Sequence, residues 1–95
     1  MNLRVALYDT LVEGNLLVRV LDLDNEGGRA TVKVFVSGHP HALEAKIDHT
    51  SNSPVDIFIA GTPITGQIHE VTAKLYTSDH IQLHDTDTKM IKLSA

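Results

Sequence analysis

Apolar and polar residues alternate along most of this chain, and the alternation predicts strands. From Arg29 to Ser37 the sequence reads RATVKVFVS. Ala30, Val32, Val34 and Val36 fall on one side, and Thr31, Lys33, Phe35 and Ser37 on the other. A repeat of two residues is what a strand with one buried face requires. The same pattern predicts strands over Leu3–Tyr8, Ala42–Asp48, Val55–Ala60 and His69–Thr77. The apolar sets are Leu43, Ala45 and Ile47, then Val55, Ile57 and Ile59, then Val71, Ala73 and Leu75. A last strand over Lys89–Leu93 is preceded by a short extended piece, Ile81–His84. No segment sustains an apolar repeat near 3.6, so no helix of consequence is predicted.

The separators carry turn chemistry. Asn25-Glu26-Gly27-Gly28 supplies residues that tolerate positive φ. Gly38-His39-Pro40, Ser51-Asn52-Ser53-Pro54 and Gly61-Thr62-Pro63 interrupt the pattern again, because proline donates no hydrogen bond to a ladder and restricts the residue before it. Turns recurring about every ten residues predict an all-β sandwich of about seven antiparallel strands in two sheets.

The second predicted strand, Gly14–Asp24, differs from the rest. Leu16, Val18 and Val20 occupy one face, and Leu17, Leu21 and Leu23 the other, with Arg19 as the interruption. A strand apolar on both faces is central, or it meets a second surface. Arg19 is expected at an edge or paired with Asp22 or a neighbouring acid. The face of Leu17, Arg19, Leu21 and Leu23, with the following Asn25 and Glu26, is therefore the candidate partner-binding surface. The first or last strand is a further candidate, for addition of a partner strand.

At 95 residues the chain makes one domain. It has no cysteine, so its stability rests on packing without disulfides or thiolate metal sites. The net charge is -4, and the lysines and arginines are scattered rather than gathered in a stripe, which argues against nucleic-acid binding. The start, Met1-Asn2-Leu3-Arg4-Val5, leads into no apolar run long enough for a signal peptide or a membrane span. No membrane insertion is expected, and the localisation is left open between a cytoplasmic chain and a piece of a cell-surface or virion protein.

In its order of features the chain resembles an immunoglobulin-like or fibronectin-like sandwich and, more narrowly, the CARDB family of adhesion-type domains. LLVRVLDLDNEGGRATVKVFVSG matches the paired valine-rich strands of that family, and HEVTAKLYTSDHIQLHDTDTKMIKLSA its second half in outline. The sequence departs from the family at Asp87-Thr88-Lys89, where paired asparagines are usual, and at Gly61-Thr62-Pro63-Ile64-Thr65-Gly66, where the family has a Pro-Gly signal. The Cys…Trp…Cys framework of antibody domains is absent. The resemblance implies a non-catalytic domain that mediates adhesion, spaces out surface proteins or decorates virus particles.

Other chemistry is sparse. The six histidines are a candidate metal set, since His39 and His41 share a face if that segment is extended, and His80 and His84 sit near Asp79, Asp85 and Asp87. A zinc or copper site requires these two groups to meet at one end of the sandwich. Asp22-Leu23-Asp24-Asn25-Glu26-Gly27 has the alternating carboxylates and sixth-position glycine of a calcium loop, but Lys33 stands where the twelfth-position glutamate is needed. The serines lie in turns without a nucleophile-elbow context, and no glycine-rich phosphate loop opens a helix. The expected function is a non-catalytic protein-binding or assembly module without a cofactor, a monomer or weak dimer that acts on a protein partner or on a second copy of itself. The alternative is a small metal-binding protein that uses the loop histidines.

Overall fold

The computed structural model describes residues 2–77 and 82–94. Seven strands follow one another: β1 (Leu3–Leu7), β2 (Leu16–Asp22), β3 (Ala30–Val36), β4 (Leu43–Ile47), β5 (Val55–Ile59), β6 (Ile68–Thr77) and β7 (Leu83–Lys92). They form two antiparallel sheets, β1-β2-β5 and β4-β3-β6-β7. Among the described residues there is no helix. The fold is thus the predicted all-β sandwich, with a radius of gyration of 12.8 Å against the roughly 13 Å usual for this length.

The inward set on each strand is the one the alternation gives. Leu3, Val5 and Leu7 of β1, Leu16, Val18 and Val20 of β2, and Ile59 of β5 face Val32 and Val34 of β3, Val71, Ala73 and Leu75 of β6, and Ile91 of β7. Leu43 and Ala45 of β4 and Ile57 of β5 close the core less completely. The two sheets barely touch along the β4/β5 side, whereas β1 packs closely against β7 on the other.

The strand ends differ from the sequence reading where the backbone turns left-handed. β2 is shorter than Gly14–Asp24 because Glu13 and Gly14 have φ of 51° and 79°, and Asn25 has φ of 51°. A greater difference is β7, one strand of ten residues instead of a short strand after a separate extended piece. Its inward positions beside the core are Asp85, Asp87 and Lys89, paired across from Leu75, Ala73 and Val71. Charged residues at inward positions hide the strand from a hydrophobic pattern. A register shift at Leu75/Tyr76 then brings Leu83 opposite Tyr76, as a β-bulge does.

Those charges have a structural task. The main-chain N–H of Val5 donates to Asp85 Oδ2 at 2.9 Å, and that of Leu7 to Asp87 Oδ2 at 2.8 Å. Lys89 Nζ donates to Leu7 O and to Asp87 Oδ2, both at 2.8 Å. In an antiparallel ladder, the N–H and C=O of one residue point to the same neighbour. Tyr8 N–H bonds Leu17 O, and Leu23 N–H bonds Asn2 O. The even-numbered residues of β1 therefore face β2, and the odd-numbered ones face the open edge. Asp85, Asp87 and Lys89 take up three of the groups that an added strand would need, the Val5 and Leu7 amides and the Leu7 carbonyl. Strand addition at β1, one of the sequence expectations, is blocked at these atoms.

Candidate functional site

The outer face of the three-stranded sheet carries the candidate partner residues. Register places Leu17 beside Phe58, Arg19 between Ala6 and Asp56, and Leu21 opposite Arg4. Arg19 Nε donates to Asp56 Oδ1 at 2.9 Å, and its Nη2 to Tyr8 Oη at 2.9 Å. The Tyr8 hydroxyl donates to Asp56 Oδ2 at 2.9 Å. The guanidinium also lies 5.6 Å from the Tyr8 ring centre, within cation–π range. Arg19 thus pairs with Asp56. Asp22, the other acid considered, faces the opposite side of β2 and is buried.

This cluster fixes both charges. The Arg19 hydrogen bond holds the Asp56 carboxyl below its usual pKa, and the Tyr8 hydroxyl adds to the effect. The bond to Asp56 in turn raises the Tyr8 phenol above 10. Around the cluster the apolar residues divide. Leu17 is only 5% exposed and is part of the packing of the face, so it offers little surface to a partner. Leu21 is half-buried. Leu23 and Phe58 are each 48% exposed. Sequence reasoning missed Phe58. Its signal is the outward phase it shares with Asp56, opposite Val55, Ile57 and Ile59.

The face continues into the β2–β3 turn. The buried Asp22 carboxylate accepts from the Gly27 amide at 3.2 Å and the Thr50 hydroxyl at 2.8 Å. Burial pushes its pKa up, but these bonds and the amides of Asp24 and Asn25 outweigh burial and hold it below the ordinary value. Asn25 Oδ1 accepts from Asn52 N–H at 3.1 Å, Asp22 N–H bonds Ser51 O, and Thr50 N–H bonds Gly28 O. The turn at Asn25–Gly28 and the loop at Ser51–Ser53 therefore meet at one end of the sandwich, with Asn25 and Glu26 exposed there. Asp22 binds the protein's own donors in the segment that has the outline of a calcium loop.

Among the described residues the histidines do not gather. His39 and His41 follow β3 at the opposite end, where the chain turns at Gly38 (φ 78°) and His39 N–H closes onto Val36 O. The segment is bent rather than extended. Val36 pairs with Val71 and Val71 with Lys89. His84 lies five residues back from Lys89 along β7, roughly 17 Å at the rise of a strand. His39 and His41 thus lie at a different end of the sandwich from His84. His80 and Asp79 fall outside the described residues. Among the described residues no three His, Cys, Asp or Glu side chains are placed to hold a metal ion. His69 is fixed between loops, with Nδ1–H donating to Ser37 O at 2.9 Å and Nε2 accepting from the Thr65 hydroxyl. A depression of about 150 Å³ beside Arg29, Thr31, Lys46 and Asp48 is smaller than the roughly 300 Å³ of small-molecule sites.

Fold and site together define a small all-β sandwich with a latched N-terminal edge and a semi-apolar outer face. Comparison with protein-family models, with curated proteins and with solved structures finds no match.

Proposed function

We propose that this chain is a non-catalytic protein-binding or assembly module built on an immunoglobulin-like, more narrowly fibronectin-like, sandwich. The strand order supports the fold reading. The fourth strand stays beside the third, instead of joining the first sheet as in antibody constant domains. The observation that carries the functional reading is the pair of half-exposed side chains, Leu23 and Phe58, on the outer face of the three-stranded sheet. They flank a polar cluster, Tyr8–Arg19–Asp56, whose charges already satisfy one another. A partner covering this face gains apolar burial without having to strip water from an unpaired charge. Leu21, Arg4 and the adjoining Asn25–Glu26 turn form its rim. A cell-surface adhesion or spacer domain and a virion decoration protein are the settings implied by the resemblance to CARDB domains.

The test is a photo-crosslinking residue placed at Leu23, with a control at Glu70 on the outer face of the other sheet, in the cells or particles that make the protein. A discrete adduct with another protein at position 23 and none at position 70 is expected. No adduct at 23, or the same adduct at both positions, overturns the reading.

A further inference from the structure

The two sheets have four edge strands: β1, β5, β4 and β7. Natural sandwiches guard such edges with charges, inward-pointing ionised residues or occupied main-chain groups. β1 has its outward Val5 and Leu7 amides taken by Asp85 and Asp87. β7 carries Asp85, Asp87 and Lys89 at inward positions. β4 bears exposed Glu44 and Lys46. β5, with sequence VDIFI, has no such guard. Its one charge, Asp56, is drawn away from the edge toward Arg19 on β2.

The register shows which groups of β5 are open. Asp22 N–H bonds Ser51 O, and Leu16 N–H bonds Thr62 Oγ1, so the even-numbered residues of β2 face β5. Their partners Val55, Ile57 and Ile59 point their main chain back at β2. The N–H and C=O of Asp56 and Phe58 consequently face the edge, and among the described residues nothing pairs with them. These two residues lie symmetrically about Ile57.

From this geometry we infer that β5 pairs antiparallel with β5 of a second copy, about a two-fold axis through Ile57. Asp56 of each copy exchanges both main-chain hydrogen bonds with Phe58 of the other. Ile57 meets its own copy as a close, non-hydrogen-bonded pair, and Val55 meets Ile59, so β-branched residues face one another. The charges agree with this arrangement. Asp56 stands opposite Phe58 and is diagonal to the other Asp56, roughly 7–8 Å away, with each carboxylate already neutralised by its own Arg19. The neighbouring β4 carries one acid and one base, so neither copy presents a row of like charges to the other. A self-complementary edge is what a two-fold dimer requires. Its length of five residues limits it to a weak association. The inference concerns the β5 edge, apart from the outer face at Leu23, and names the occupant of that edge as a second copy of this chain.

The test is residue-resolved amide exchange on the full chain at rising concentration. For a Kd of about 100 µM, about four-fifths of the chain is paired at about 1 mM, and exchange at an interface amide slows about fivefold. Asp56 and Phe58 amides are expected to slow in this way, while the Val55, Ile57 and Ile59 amides, already bonded to β2, do not change. Sedimentation of Phe58→Pro, which removes an edge donor where proline is tolerated, is expected to give one copy's mass where the native chain's mass rises. Exchange at Asp56 and Phe58 that ignores concentration overturns the inference, as does slowing confined to another element. Either outcome leaves the crosslink at Leu23 to decide the partner-face reading separately.

Discussion

Single residues tie the turns of this sandwich to its sheets. Gly27 has φ of 75°, gives its amide to Asp22, and leaves so little room that an added Cβ would sit 2.7 Å from His49 Cε1. The His49 ring is exposed and can swing aside, so the cost of Gly27→Ala comes mainly from the left-handed backbone. About 1–2 kcal/mol is expected, seen as a fall in Tm of roughly 5–15 °C. An unchanged Tm would show that the turn does not hold this conformation. Asp22 supplies the partner acceptor, and its folded pKa lies below its unfolded one. As pH falls the unfolded chain therefore takes the proton first. This contribution is complete above about pH 4 and is lost as pH drops through the folded value. On the outer face, the Tyr8 phenol is raised by its bond to Asp56. In a Tyr76→Phe background, ultraviolet titration is expected to place Tyr8 above 10. Asp56→Asn, which removes the carboxylate charge, lowers that value. A Tyr8 curve indifferent to Asp56→Asn contradicts the cluster.

At the level of elements, β1 and β7 behave as a unit held by side chains from one sheet on the main chain of the other. Asp87 is partly desolvated, which pushes its pKa up, but Lys89 and the Leu7 amide outweigh this and hold it low. The latch thus weakens as pH falls below about 4, by the same sign as at Asp22. Asp87→Ala is expected to cost about 1–2 kcal/mol and to speed exchange at the Leu7 amide while leaving Val34 and Ala73 amides protected. Equal loss of protection everywhere would mean global destabilisation in place of an opened edge. This element also marks where the sequence stopped being legible. β3, β4, β5 and β6 follow from period-two apolar sets, because their own inward residues are apolar. β7 does not, because its inward Asp85, Asp87 and Lys89 serve the β1 backbone, a contact between residues about 80 positions apart. Arg19 is read as an edge residue or as the partner of Asp22 or a neighbouring acid, and the acid it meets, Asp56, is set by the β2–β5 register, which no local pattern reveals.

Over the whole molecule, the core and the outer faces make different demands. Leu75 is fully buried, whereas Met90 is 62% exposed on the same sheet. Leu75→Ala is expected to cost about 2–5 kcal/mol, and Met90→Ala less than about 0.5 kcal/mol, in denaturant unfolding. Similar costs would contradict the assignment of faces. The two-sided character of β2 is visible in the sequence, and it separates the core face of Leu16, Val18 and Val20 from the outer face of Leu21 and Leu23. The sequence does not reveal which histidines share an end, since that depends on strand order. Nor does it reveal which edge is open, since that depends on where Asp85, Asp87 and Lys89 reach. The central claim is this asymmetry, with the β1 edge latched and the β5 edge free. Amide exchange in dilute solution tests it most directly. Val5 and Leu7 amides are predicted to be protected and Asp56 and Phe58 amides to exchange near the free-chain rate. Unprotected Val5 and Leu7, or protected Asp56 and Phe58, would contradict it.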